Sequence, residues 1–116
     1  MIAFALGKAM GKPMELKITT RVVSPNVVLD LSGRLCLLDR SLHERIDKLL
    51  AEGLRDFTLD LADVSYIDSF GLGQLVTVWT SIQNRSGRVK LLRPNERVRK
   101  LLHITKLDTV FEVHTK

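Results

Sequence analysis

Apolar residues recur along this chain with two periods, and the points where one period gives way to the other predict its elements. Leu16, Ile18 and Val22 fall on mostly alternate positions, predicting a strand over residues 16–23. Val27, Leu29 and Leu31 alternate with Asp30 in a second strand over residues 27–31, and Pro25-Asn26 between the two predicts an antiparallel hairpin. Gly33 is expected to end that second strand. Leu42, Ile46, Leu49 and Leu50 switch to helical spacing over residues 39–50, with Gly53 as the left-handed closing residue. Its start reads as a capping box over Ser41-Leu42-His43-Glu44 or as a cap by Asp39.

Phe57, Leu59 and Leu61 then alternate with Thr58, Asp60 and Ala62, so the strand over residues 57–62 is apolar on one face only. A strand buried between two helical layers would be apolar on both. A helix follows over residues 72–82, with Leu72, Leu75, Val76, Trp79 and Ile82 on its stripe, and Gly87 leads into a strand over residues 89–93. This strand–helix–strand unit predicts a right-handed crossover between parallel neighbours. Asn95 caps a third helix that buries Val98, Leu101 and Leu102, and residues 109–114 form a last short strand. The order β-β-α-β-α-β-α-β predicts one α/β domain: a mixed four- to five-stranded sheet with its helices mainly on one face.

Size and composition agree with a single core: 116 residues, 45% hydrophobic and 27% charged. Residues 1–13 stand apart. They contain Gly7, Gly11 and Pro13, show no clean period, and precede a second methionine, Met14. They are expected to form a flexible arm ahead of a domain spanning residues 14–116. Lys8 and Lys12 follow the short apolar run instead of preceding it, unlike a secretory signal. No apolar run approaches the roughly 20 residues that span a bilayer, so no membrane insertion is expected. The one cysteine, Cys36, excludes an intrachain disulfide and a cysteine-based metal site. Between Leu35 and Leu37-Leu38 it is expected to be a buried structural thiol in a reducing, cytoplasmic setting. The net charge of +5 is concentrated in residues 84–106, where Arg85, Arg88, Lys90, Arg93, Arg97, Arg99, Lys100 and Lys106 face one acid, Glu96. Without interleaved aromatics this strip is a poor base-stacking surface, so nucleic acid is not the expected partner.

Chemistry concentrates in Ile67-Asp68-Ser69-Phe70-Gly71-Leu72-Gly73, at a predicted strand-to-helix junction. Asp68 and Ser69 are good caps. Two glycines in a first turn each cost helix stability, about 1 kcal/mol relative to Ala, so capping alone does not account for the stretch. Their lack of bulk is expected to let another protein approach Ser69 closely. Enzymatic readings fail on residues. Gly71-x-Gly73-x-x-Val76 lacks the third glycine of a dinucleotide fingerprint, and Asp68 would repel a pyrophosphate. No Gly-Lys-Ser/Thr phosphate loop occurs, and Ile67 replaces the first glycine of a nucleophile elbow. His43, His103 and His114 fall on unrelated elements with no triad or metal-ligand spacing.

The stretch from Leu59-Asp60-Leu61-Ala62-Asp63-Val64 through Ser65-Tyr66-Ile67-Asp68-Ser69-Phe70-Gly71-Leu72-Gly73 resembles the core motif of the STAS domain family, and within it the bacterial anti-sigma factor antagonists. The similarity runs over about residues 15–113 and includes Leu31-Ser32-Gly33-Arg34-Leu35 and Val98-Arg99-Lys100-Leu101-Leu102. The resemblance implies a STAS-like fold and a binding protein that is not an enzyme. It implies an anti-sigma factor serine kinase as partner, which uses ATP and magnesium, and a protein phosphatase. It also implies phosphorylation at Ser69 that switches binding off, with Asp68, Ser69, Phe70, Gly71, Leu72 and Gly73 at the partner interface. No cofactor of its own is expected. Phe70 stands where many antagonists carry a second Ser or Thr, which leaves Ser69 as the one hydroxyl of the turn. A non-switching STAS scaffold, or an accessory subunit of a stressosome-like or lipid-transport complex, is the alternative.

Overall fold

The alternation of the first two segments produces the expected hairpin, β1 (Lys17–Val23) antiparallel to β2 (Asn26–Leu35), in a computed structural model that describes residues 16–23, 25–36 and 40–115. The arm expected over residues 1–13, together with Met14, Leu37, Leu38 and the Asp39 cap, lies outside the described residues. Three parallel pairings follow: β2 with β3 (Asp56–Ile67), β3 with β4 (Arg88–Leu92), and β4 with β5 (Glu112–His114). The sheet order is β1-β2-β3-β4-β5, the sequence order itself. Three helices connect the parallel strands: α1 (Ser41–Ala51), α2 (Ser69–Asn84) and α3 (Glu96–Ile104), the last followed by a 3-10 turn at Leu107–Thr109.

One face of the sheet carries the core. Val27, Leu29 and Leu31 of β2 and Phe57, Leu59 and Leu61 of β3 are fully buried against Leu42 and Ile46 of α1, Leu75, Val78 and Ile82 of α2, and Val98 and Leu102 of α3. Each such side chain contributes roughly 1.5–3 kcal/mol on leaving water. On α2 the buried row is Leu72, Leu75, Val78 and Ile82, while Val76 is exposed and Trp79 is only partly covered. The buried row is therefore rotated slightly from the expected stripe, with Val78 facing the sheet in place of Val76 and Trp79.

Two strands are longer than their sequence pattern predicts. β2 does not stop at Gly33. The glycine takes a φ of +111° inside the strand, and the pairing with β3 slips between Asp30 and Ser32 and again between Gly33 and Arg34. A glycine read as a strand end is here an irregularity that the ladder passes through. β3 continues to Ile67, and the extension is held by Arg34, whose guanidinium lies 4.5 Å from the Tyr66 ring centroid. At α1, Ser41 is already helical and the preceding Arg40 makes no side-chain capping bond, so the capping box does not form. Gly53 does close that helix region with a φ of +98°. Cys36 is half-buried rather than sealed in the core.

The opposite face of the sheet is polar and organised by ion pairs. Asp60 is the one buried charged residue among those described, 4% exposed. Its Oδ1 accepts the Ala62 N–H at 3.0 Å, and its Oδ2 pairs with Arg93. Arg93 adopts a left-handed φ of +55° and anchors its own N–H on the His114 carbonyl at 2.7 Å. Leaving Asp60 unpaired would strand a buried charge, so Arg93 holds a conformation that L-residues seldom adopt.

Beside this pair, Arg21 grips Asp30 through Nε at 2.7 Å and Nη2 at 3.0 Å. The hydrogen bond from Arg21 holds the Asp30 carboxyl below its ordinary 3.8; partial burial opposes this, and the charges of Arg21 and Arg93 add to it. A carboxylate depressed in the fold contributes stability above its unfolded pKa and loses it as pH falls through the folded value. Both partners are exposed, so the contribution is small. Urea unfolding should therefore find wild type ahead of Asp30→Asn at pH 7, with the gap closing below about pH 4.

Candidate functional site

The site forms where β3 delivers the chain into α2. Asp68, in extended conformation, is the N-cap, and its Oδ1 accepts the Gly71 N–H at 2.7 Å. Its carbonyl accepts the Leu72 N–H at 2.9 Å, the first bond of the helix, and its own N–H reaches the Leu35 carbonyl of β2 at 3.4 Å. Capping thus belongs to Asp68 alone. Ser69 is the first helical residue, exposed, with a side chain that has no part in starting the helix. Phe70 follows it and is 56% exposed, an unusual degree for the largest apolar side chain of the turn.

The two glycines of the turn do different jobs. Gly71 is buried, and a Cβ there would overlap the Leu35 carbonyl and stand 3.0 Å from Ile67 Cγ2. It exists so that the first turn of α2 can rest on the end of β2. The expectation that both glycines clear space for another protein is corrected for Gly71: the neighbour it admits belongs to this chain. Gly73 has nothing within 4 Å of the position its Cβ would take, and faces open space beside Phe70. Leu72 is buried and belongs to the core. Of the six residues expected at an interface, Asp68, Gly71 and Leu72 support the turn, and Ser69, Phe70 and Gly73 face outward.

Phe70 forms one wall of a shallow groove of about 320 Å³ between α1 and α2, shared with Arg40, His43, Gly73, Gln74 and Thr77. Gln74 donates through Nε2 to the Cys36 carbonyl, which leaves its Oε1 buried with no hydrogen-bond partner among the described residues. His43 is similar: Nε2 lies 3.0 Å from Asp47 Oδ2 while Nδ1 has no described partner. Unmet buried polar atoms are uncommon, and ordered water often satisfies them. Gln74 and Thr77 were not singled out in the sequence, although they follow Phe70 at i+4 and i+7 and so share its helix face.

The remaining candidates do not converge. His103 pairs with Asp108 at 3.0 Å and His114 with Glu112 at 2.7 Å, so each histidine lies beside its own carboxylate. Among the described residues, no group of three or more metal-ligating side chains could hold an ion. The basic residues of 84–106 are spread along β4: Arg85 precedes it, Arg88 and Lys90 lie within it, and Arg93, Arg97, Arg99 and Lys100 follow it, about 16 Å from its start. All of these are exposed. No described helix is long and apolar enough to cross a membrane.

The sequence profile of the STAS domain matches residues 14–116. A Thermotoga neapolitana protein, described as a candidate anti-sigma factor antagonist, is 33% identical over 96 residues, covering 81% of this chain and 85% of its own. The anti-sigma-B factor antagonist of Bacillus subtilis is 27% identical over 104 residues, covering 89% and 94%. Among solved structures, the crystal structure of a candidate anti-sigma factor antagonist from Thermotoga maritima superposes with a TM-score of 0.77 at 31% identity, covering 85% of this chain and 86% of that one.

The division of labour between the glycines can be measured. Gly71→Ala should destabilise the domain strongly, because the methyl group must displace a backbone carbonyl. Gly73→Ala should raise stability by about 1 kcal/mol by removing glycine from an exposed helix position. Thermal unfolding of the two variants would show opposite shifts; equal losses would mean that Gly73 is also packed.

Proposed function

This chain belongs to the STAS domain family, and on that premise we propose that it is an anti-sigma factor antagonist switched off by phosphorylation of Ser69. In this reading the unmodified domain binds an anti-sigma factor that is also a serine kinase, so the sigma factor is freed. ATP and magnesium belong to the kinase, and a protein phosphatase restores the unmodified form. The protein itself is a binding module, not an enzyme, and the exchange takes place in the cytoplasm.

The observation that carries this reading is the exposed Ser69 hydroxyl at the first position of α2, beside the exposed Phe70, with capping handled by Asp68. A serine that no fold bond depends on can enter another protein's active site and be modified without unfolding its own domain. There its Oγ would displace ADP from the γ-phosphorus of ATP. The hydroxyl proton would pass to a base of the kinase, since each histidine here lies against its own carboxylate. Phe70 and the groove beside it would supply the apolar anchor of the interface.

Phosphorylation would then act through electrostatics. It adds about −1.5 to −2 charge at neutral pH. In the free domain, the first-turn N–H groups and the dipole of α2 favour that charge. In the complex the same phosphate would be stripped of water close to the Asp68 carboxylate. The modification should therefore weaken binding much more than folding.

Incubation with the cognate kinase and ATP, read by intact mass and peptide mapping, should add one phosphate at Ser69. Ser69→Ala should abolish the addition while keeping kinase affinity within a few-fold, and Ser69→Asp should weaken binding by tenfold or more, about 1.4 kcal/mol. Phosphate on another residue, or none, would leave a non-switching scaffold as the better description.

A further inference from the structure

We infer that the outer edge of β1 is a self-association surface, on which a second copy of this chain pairs antiparallel about a two-fold axis through Thr20. β1 is the terminal strand of the sheet, and no described residue pairs with its outer side. Its neighbour β2 lies antiparallel in unbroken register from Lys17 opposite Ser32 to Val23 opposite Asn26. Val23 and Asn26 close a short connection, and in such a hairpin the closing pair exchanges ladder bonds. The bonding positions then alternate, so Lys17, Thr19, Arg21 and Val23 face β2. Ile18, Thr20 and Val22 turn their N–H and C=O groups outward.

A row of donors and acceptors that no described residue pairs calls for another strand, and proteins usually guard such an edge with proline, bulges or projecting charge. Guarding is weak here. The strand contains no proline or glycine, its register shows no shift, and Val22 and Val23 are 55% and 62% exposed. Arg21, the charge at its middle, does not project outward; both of its bonds are made back to Asp30 of β2. That leaves Lys17 at one end as the edge's free charge.

The sequence of the edge fits a copy of itself. Pairing Thr20 with Thr20 of the second copy sets Ile18 against Val22 and Val22 against Ile18, so the outward positions of both strands meet and exchange ladder bonds. Side chains at these positions lie on the helix side of the sheet, as their partners Leu31, Leu29 and Val27 do. Half-buried Ile18 would be covered by the exposed Val22 of the second copy, an aliphatic cross-strand pair flanking a Thr–Thr pair. On the other face Thr19 meets Arg21, already neutralised by Asp30. One like-charge approach remains. Each Arg45 donates to its own Thr20 Oγ1 at 2.6 Å, so the two guanidiniums face each other near the axis and the association should tighten with salt. The axis crosses the sheet at Thr20–Leu29, about 20 Å along β2 from Leu35 and the Ser69 turn, so both Ser69 side chains stay accessible.

Sedimentation of the full chain across a concentration series up to about 1 mM tests this. Wild type should form dimers, more tightly at higher salt. Val22→Lys, a change at an exposed position, should raise the dimer dissociation constant at least tenfold with unchanged circular dichroism. Thr20→Pro should also give folded monomers, because it removes an outward N–H, whereas Thr19→Pro removes a ladder bond to β2 and should unfold the hairpin. A wild type that stays monomeric, because another segment or a foreign strand takes the edge or nothing does, would overturn the inference. So would dimers that Val22→Lys leaves intact. Ser69 phosphorylation should be unchanged in Val22→Lys, which separates failure here from failure of the switch.

Discussion

The contact on which the rest depends is the seating of the first turn of α2 on the end of β2. The Leu35 carbonyl meets two things at once: the Asp68 N–H at 3.4 Å and the open side of Gly71, where a Cβ would not fit. With the helix held there, Leu72, Leu75, Val78 and Ile82 descend onto the buried face of the sheet, and the residues between them turn outward. The position of Ser69 is thus set by a strand that ends over thirty residues earlier in the chain. A turn fixed at both ends can present a hydroxyl and an aromatic ring in constant relation to each other, which a mobile loop could not do.

The polar face of the sheet solves a separate problem. The parallel pairing of β2 with β3 places Asp30 and Asp60 side by side, and like charges so placed repel. Arg21 from the hairpin and Arg93 from the end of β4 close on them from either side. The Arg21–Asp30 pair thus ties β1 to β2, and the Arg93–Asp60 pair ties the end of β4 to β3, on the side that no helix of the core covers. The cost appears in Arg93, whose left-handed backbone is held by the sheet beyond it.

Much of this was legible in the sequence, because period reports burial directly. The one-sided alternation of Phe57, Leu59 and Leu61 against Thr58 and Ala62 showed which face would be dry, and Asn95 was readable as a cap that indeed bonds the Val98 N–H at 2.8 Å. What escaped depends on through-space facts. Gly33 looks like a terminator until the partner strand is seen to slip with it. Gly71 and Gly73 look alike in the chain and differ only in what stands opposite them. Asp60 reads as a solvated residue because Arg93, which covers it, lies more than thirty positions away. Gln74 and Thr77 carried a usable signal in their helical spacing from Phe70, but the groove they share with His43 requires α1 to be placed first.

The alternation of inward and outward residues within Asp68-Ser69-Phe70-Gly71-Leu72-Gly73 has a consequence for how such a domain can diversify. Asp68, Gly71 and Leu72 are bound by the geometry of the turn, so substitutions there are filtered by folding. Ser69, Phe70 and Gly73 are exposed and take no part in the cap or in the seat on β2, so exchanges there are filtered much less by folding. A gene duplicate could change the chemistry of this exposed surface by substitutions at these outward positions alone. Surface chemistry and foldability are thus written in the same six residues and remain free to drift apart.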